Sequence, residues 1–556
     1  MSFVFLLAVF IASRDLFKPG YFSMHDDLQI GRLYEMDLCF RDGQIPCRWV
    51  PDMGYSYGYP LFNYYPPFPF YLGELIHKFG FSFIDTTKIL FILGFLVSGI
   101  LMYLFARKLW GVYGGLLSAV LYLFAPYHSV DVYVRGAMNE FWALSFLPGV
   151  FWAVYEIIEK KERKFIPVLA LLFGLLLLSH NLMAFIFPPT IIVFSLLLIW
   201  LKKKNFKEKI TNLFLGSILS FGLAAFFTLP VLLEKKFVHV ETMLMGYFNY
   251  LAHYVSIGKM LFTRFWGYGS SGWLQETGMP FQVGFPQWPL AILVVILFDI
   301  LYLKKKIKKE HLFIGIYFLL LFLFTLFLVH PRSVFIWDRI PLLAYLQFPW
   351  RFLTLVIFSI SVLGGGLVFI LKQKKLQAIC FVLLSASVIL LNYSFFRVEK
   401  TLQVTDTEKL FSAKGFNKLQ TDAIFDYLPV YAKAPPGGPA PQKPEVKSGA
   451  VEISEIKKGT NWYTFRTKAE GSSKLQVPIY DFPGWTAFIN SKKTEISHDN
   501  YLGLITINVP GGINEIKLYL KNTLVRSAGN LISLFSWVFL LILFWQLSLK
   551  RKWRKK

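Results

Sequence analysis

Residues 23–29 read Ser-Met-His-Asp-Asp-Leu-Gln, which sets an imidazole, His25, beside two adjacent carboxylates, Asp26 and Asp27, ten residues after the apolar N-terminus MSFVFLLAVFIAS. A positioned carboxylate can take the proton of an attacking hydroxyl, the work of a general base. Further along, YVRGAMNE carries Arg135 and Glu140, LLLSHNLMA carries His180, HPRSVFIWDR carries Arg332, Asp338 and Arg339, and QFPWRFL carries Arg351. Guanidinium and imidazolium groups stabilise the charge that gathers on a departing phosphate. The two sets together fit transfer of a sugar from a lipid phosphate. Asp26, Asp27 and Glu140 are then the candidate catalytic acids, and His25, Arg135, His180 and Arg351 the candidate substrate-binding groups. A divalent cation on Asp26, Asp27 or Glu140 would serve the same leaving group. Tyr64 and Tyr65 offer ring faces on which a sugar can stack.

Each residue also has a plainer role open to it. Asp27 is placed to N-cap a helix starting at LQIGRLYEM, and Asp26 to complement its dipole. Arg351 can snorkel beside Trp350, His180 can hydrogen-bond at a helix end, and Glu140 can pair with Arg135. Tyr64, Tyr65 and Phe68 suit an aromatic belt at a membrane interface.

The elements that must position these groups are membrane spans. Of 556 residues 55% are hydrophobic and only 17% charged, a balance that soluble domains do not reach. Apolar runs fall at about 84–106, 112–128, 140–157, 165–180, 182–201, 211–233, 287–303, 311–330, 349–371, 376–395 and 527–549, and with the short N-terminal run they predict about twelve spans. The net charge of +24 sits in short loops, at Arg107-Lys108, 160–164, 202–209, 304–309, 372–375 and the tail KRKWRKK. Basic loops at every second connection predict those loops and the C-terminus on the cytoplasmic side of a multi-pass plasma-membrane protein, and argue against nucleic acid as a partner. Residues 14–83, 234–286 and 396–526 then lie outside. Cys39 and Cys47 share the first of these segments and can pair in an oxidising compartment.

Within 14–83, Leu33, Met36 and Phe40 recur at helical spacing, which predicts an amphipathic helix lying on the membrane surface, followed by an irregular aromatic loop. Within 396–526 the break KAPPGGPAPQKP (433–444) precedes WYTFRT, KLQVPIY, WTAFIN, LITINV and EIKLYL, runs of period two. With turns at Pro483-Gly484 and Gly511-Gly512 they predict an extracytoplasmic β-sandwich of about 100 residues before the last span. The organisation expected is a membrane domain over 1–395, a β-rich domain over 396–526, and a final span with its basic tail over 527–556.

HDDLQIGRLYEMDLCFRDGQIPCRWVPDMGYSYGYPLFNYYPPFPFYL, YVRGAMNE, LSHNLMA and LLAYLQFPWRFL, in that order, resemble the bacterial integral-membrane family labelled 6-pyruvoyl-tetrahydropterin synthase-related, itself similar to the GT-C class of membrane glycosyltransferases. The C-terminal stretch that opens with DFPGWTAFINSKK and runs through LGLITINVPGGINEIKLYLKN fits the outer β-domain such proteins carry. The resemblance implies a GT-C-like bundle with a catalytic acid in the first outer loop, which maps onto Asp26 or Asp27; the two are adjacent here, where some relatives have Asp-x-Asp. Pterin chemistry does not come with the label, since a pterin synthase needs a three-histidine zinc site and the nine histidines show no such spacing.

The function expected is transfer of a sugar from a polyprenyl-phosphate donor, in contact with membrane lipid, to a glycan, lipid or protein acceptor on the outer face. The rival expectations are a lipid or polysaccharide transporter, and a non-catalytic envelope assembly or glycan-binding protein. The cofactor these residues leave open is the divalent cation considered above.

Overall fold

The computed structural model describes residues 2–160, 163–272 and 277–553. Lys161 of the 160–164 cluster and the last three residues of the basic tail lie outside the described residues. The apolar runs are helical, since a backbone in hydrocarbon must satisfy its hydrogen bonds internally. Among the described residues, eight helices are long and apolar enough to cross a membrane: Phe83–Leu123, Met138–Glu159, Met183–Lys202, Phe206–Leu233, Lys309–Val329, Pro349–Ile370, Lys374–Phe395 and Leu524–Leu549. Length and apolarity alone thus give eight among the described residues and do not by themselves establish the expected twelve. Helices Ser2–Ser13, Phe165–Leu177 and Gln287–Leu303 are apolar but, at 1.5 Å per residue, reach only about 18 to 26 Å against about 30 Å of hydrocarbon.

The 41-residue segment Phe83–Leu123 holds two of the expected runs, and its helical path breaks at Gly111, with φ 75° and ψ −174°. A Cβ on Gly115 would meet the Arg107 backbone at 2.7 Å. Eight residues of continuous helix would separate those positions by about 12 Å, so the chain doubles back here. At this end of the bundle the basic loops find carboxylates: Lys108 pairs with Glu156, and Lys202 with Glu159 and Glu310 at 2.9 Å each.

The segments 14–83, 234–286 and 396–526 pack on one another. Tyr21 and Phe22 pair antiparallel with Leu402 and Thr401, Val238 bridges to Pro429, and Asp42 accepts hydrogen bonds from Thr460 and from the Trp462 indole. The helix Gln29–Arg41 does not lie on a surface as its spacing predicts. It buries Ile30, Leu33 and Met36 on one side and Arg32, Glu35 and Asp37 on others, because Leu419 stands against Gly31, the Asp52 N–H reaches Glu35 and Lys78 pairs with Asp37. Leu28 stands at its N-cap with no side-chain cap, so Asp27 does not fill that role. Cys39 and Cys47 are joined by a disulfide.

The β-sheet domain is two sheets around one core. Strands Val451–Lys458, Trp462–Ala469, Gly512–Leu520, Trp485–Ile489 and Lys492–Thr494 lie side by side in that order, and Glu445–Ser448, Ser473–Tyr480 and Leu504–Val509 form the second sheet. Phe465, Val477, Ala487, Ile507 and Ile516 from both sheets share that core. The turns marked by Pro483-Gly484 and Gly511-Gly512 carry the chain from one sheet to the other, so neither closes a hairpin. Three further strands, Glu445–Ser448, Val451–Lys458 and Lys492–Thr494, are largely exposed edges, of which Val451–Lys458 sets half-buried Val451, Ile453 and Ile456 against the core.

Candidate active site

The stretch that begins with His25 is strapped to the turn at 134–136. The His25 N–H donates to the Val134 carbonyl at 3.0 Å, the Asp26 N–H to that of Arg135 at 2.8 Å, and the Gln29 amide to that of Gly136 at 2.8 Å. Gly136 has φ +63°, and a Cβ there would collide with Met24 Sδ. The close approach of the two segments therefore needs glycine.

Asp26 keeps its side chain 35% exposed. Arg32 Nη1 donates to its two oxygens at 3.0 and 2.9 Å, and Gln29 Nε2 to one of them at 3.0 Å. Gln29 and Arg32, one helical turn apart, thus aim a carboxylate that still meets solvent. Arg32 lies 4.2 Å over the Tyr65 ring. Burial alone would pull its guanidinium down, but Asp26 holds it above its ordinary value. A second carboxyl, Asp426, stands within electrostatic reach of both; burial pushes it up to about 6, with Arg32 opposing.

Asp27 faces elsewhere. It pairs with Lys409 at 2.5 Å, which ties the loop to the helix Asp406–Phe411. Burial pushes this carboxyl up and the attraction of Lys409 opposes that only in part.

Beneath the Asp26 strap lies a buried ionic cluster. Arg135 donates to Glu140 Oε2 at 2.7 Å and to Asp131, and its guanidinium lies 4.5 Å over the Trp350 ring. Tyr127 donates to Glu140 Oε1 at 2.9 Å, and Arg351 Nε approaches Oε2 at 3.5 Å. Arg351 Nη1 is spent on the Leu346 carbonyl and Gln347. His180 accepts the N–H groups of Leu182 and Met183 through Nδ1, at 3.1 and 3.2 Å, at the start of the helix Met183–Lys202. It sits within the field of Glu140, Arg351 and Arg135. Tyr65 feels both Arg32 and Arg351, which puts it between the Asp26 layer and the cluster.

The other candidates stand apart. His25 meets the Tyr268 carbonyl at 2.8 Å. Tyr64 is buried in the core of the β-domain, stacked on Tyr427 and donating to the Glu234 carbonyl at 2.8 Å. Asp338 accepts from Tyr250 at 2.6 Å. Asp26, Asp27 and Glu140 do not converge as ligands; each is engaged by a different cation, and among the described residues no three His, Cys, Asp or Glu side chains come together to hold a metal. Sequence reasoning missed Arg32, Tyr127, Asp131 and Asp426. Arg32 and Asp131 carry a local signal, the first in its helical spacing from Gln29 and the second in its place four residues before Arg135.

Fold and site together define a helical membrane-type protein with a C-terminal β-sheet domain and a carboxylate–guanidinium site where its polar segments meet. The chain belongs to the membrane-protein family described as 6-pyruvoyl-tetrahydropterin synthase related, whose model matches residues 62–398. That match takes in Tyr64, Tyr65, Arg135, Glu140, His180 and Arg351, while His25, Asp26 and Asp27 precede it. An uncharacterized protein of Lactococcus lactis subsp. cremoris (strain MG1363) is 25% identical over 344 residues, 58% of this chain and 53% of its own length, so the chain spans about half of that relative. Among solved structures, the chain is similar to ArnT from Cupriavidus metallidurans in the apo state, at 16% identity over 70% of this chain and 64% of the other, with a TM-score of 0.39. It is also similar to the Archaeoglobus fulgidus oligosaccharyltransferase tethered with an acceptor peptide containing the NVT sequon, at 12% identity over 71% and 54%, with a TM-score of 0.40.

Proposed function

We propose that this chain is a GT-C-type membrane glycosyltransferase that moves a sugar from a polyprenyl-phosphate donor to an acceptor on the outer face of the plasma membrane. The observation that carries the proposal is Asp26: a partly exposed carboxylate, aimed by Arg32 and Gln29 and strapped by its own backbone over a buried pair of arginines.

In this mechanism Asp26 takes the proton of an acceptor hydroxyl as its oxygen attacks the anomeric carbon, the bond from that carbon to the phosphate oxygen breaks, and the sugar inverts. Arg351 meets the departing phosphate through Nη2, the guanidinium nitrogen with no protein acceptor among the described residues. Glu140, with Oε1 taken by Tyr127 and Oε2 by two arginines, is a positioning residue that keeps both guanidiniums charged and in place. His180 stands at the edge of the same field, and Tyr65 offers its ring between the two layers. Asp27 holds the loop to the β-side segment. No step is routed through a metal, because the carboxylates do not converge.

Mutual packing of 14–83, 234–286 and 396–526, the Cys39–Cys47 disulfide and the gathering of basic loops at the other end of the bundle support an arrangement with those three segments outside, a cytoplasmic C-terminus and about twelve crossings. The domain limits 1–395, 396–526 and 527–556 belong to the same proposal. The test is turnover by purified protein in proteoliposomes carrying labelled polyprenyl-phosphate hexoses and envelope glycan, lipid or protein acceptors. Release of polyprenyl phosphate in step with glycosylated acceptor is expected. Movement of intact donor across the bilayer without turnover would sink the proposal in favour of transport.

A further inference from the structure

A cavity of about 120 Å³ lies away from the Asp26 site, between the loop after the helix Gln29–Arg41, the end of the last strand and the start of the last helix. Gln44, Arg48, Asn461, Lys521, Asn522 and Arg526 are among its walls. Its charge is out of balance. Arg48 is 5% exposed and, among the described residues, pairs with no carboxylate; its acceptors are the Asn63 side chain at 3.2 Å, and the Phe226 carbonyl and Asn530 side chain at 2.8 Å each. Arg526 is 1% exposed and donates to Glu234 at 2.8 Å and to the Pro483 carbonyl at 2.8 Å. Among the described residues Glu234 is therefore the one carboxylate beside two buried guanidiniums, and it is shared further with Asn63 and Thr523. Lys521, exposed at the mouth, lies over the Phe488 ring at 4.8 Å and brings a third positive charge.

A buried cation without a counter-ion is costly, and two side by side are more so. Burial, and then the charge of Arg526, pull the Arg48 guanidinium down to about 10. Two donors, Arg48 Nε and Arg526 Nη2, are buried with no acceptor among the described residues. The helix Leu524–Trp553 starts beside them and adds the positive end of its dipole. The volume corresponds to the liquid share of about four waters at ~30 Å³ each, enough for one tetrahedral oxyanion.

We propose that this cavity binds a phosphate group held by Arg48, Arg526 and Lys521. It lies where the helix Phe206–Leu233, which supplies the Phe226 carbonyl, meets the last helix, which supplies Asn530. A phosphate there comes either from the headgroup of an anionic lipid or from a soluble phosphate.

Two arms separate the sources. Full-length protein in a neutral maltoside detergent is titrated with inorganic phosphate by calorimetry. The same protein is placed in nanodiscs of phosphatidylcholine with or without phosphatidylglycerol, and retained lipid is counted by native mass spectrometry. One phosphate per chain in the first arm supports the site with a soluble ligand, and one retained phosphatidylglycerol in the second supports it with a lipid headgroup. Arg48→Gln is expected to weaken binding more than about tenfold, and Lys521→Gln, whose side chain is exposed, about threefold. Asp26→Asn leaves binding unchanged, which keeps this site distinct from the proposed active site. Absence of stoichiometric binding in both arms, equal binding by wild type and both cavity variants, or loss of binding in Asp26→Asn overturns the proposal.

Discussion

Replacing Asp26 by asparagine removes a charge while keeping the shape of the side chain, so rate and stability can be read separately. If Asp26 is the base, its loss raises the barrier by the worth of general-base catalysis, about 10²- to 10⁴-fold, or roughly 2.7 to 5.5 kcal/mol. The stability cost is smaller. Arg32 loses its counter-charge, but the carboxylate it loses is 35% exposed and already screened by solvent, and Asp426 remains within its field. We expect about 1 kcal/mol or less from that loss. The neighbouring Asp27→Asn is the control. Its ion pair with Lys409 is short, yet burial raises the Asp27 carboxyl more than Lys409 lowers it, so the pair sits near break-even and its loss is mild. Turnover by Asp27→Asn should stay within about threefold of wild type, since this carboxylate faces away from the Asp26 site. Single-turnover release of polyprenyl phosphate, with thermal scanning fluorimetry on the same samples, gives both quantities. An Asp26→Asn protein that keeps more than about a tenth of wild-type turnover, or an Asp27→Asn protein that loses as much as Asp26→Asn, would refute the assignment of the base.

The remaining expectations concern the scaffold. A carboxyl raised to about 6 in the folded chain binds its proton there at pH values where the unfolded chain has released it, so Asp426 makes stability fall as pH rises from about 4 to 6, by up to about 3 kcal/mol. Asp426→Asn should flatten that stretch of the stability–pH curve, as denaturation at pH 4.5 and 7 would report. Gly58 has φ +84°, and a Cβ there would collide with the indole nitrogen of buried Trp49; Gly58→Ala is expected to cost about 2–4 kcal/mol and to shift tryptophan emission. Glu140→Gln leaves Arg135 and Arg351 with only Asp131, an expected loss of about 3–5 kcal/mol visible as reduced folded yield, which a second change, Arg351→Gln, recovers in part.

What could be foreseen is what periodicity writes into a chain. Apolar runs become helices, and period-two runs become the five sandwich strands that have a buried face. Where a neighbour decides the outcome, local pattern misleads: the helix Gln29–Arg41 has a polar face that ought to be wet, and it is buried because Leu419, almost 400 residues later, stands against Gly31 while Lys78 of another helix pairs with Asp37. The site divides along the same line. A pair of carboxylates at 26 and 27 is visible, and so is an arginine at 135, but nothing local brings them together; a backbone hydrogen bond across 109 positions does so. Nor does anything local divide the work of the two acids. Asp26 takes its partner, Arg32, from six residues away and so stays with its own segment; Asp27 takes its partner from 382 residues away, and so becomes a tie between segments. Adjacent residues of identical chemistry thus acquire different roles from the range of their contacts. A substitution that removes one partner, Arg32→Met with Lys409 intact, should release the aim of Asp26 while leaving the tie in place, so turnover falls while the melting temperature holds.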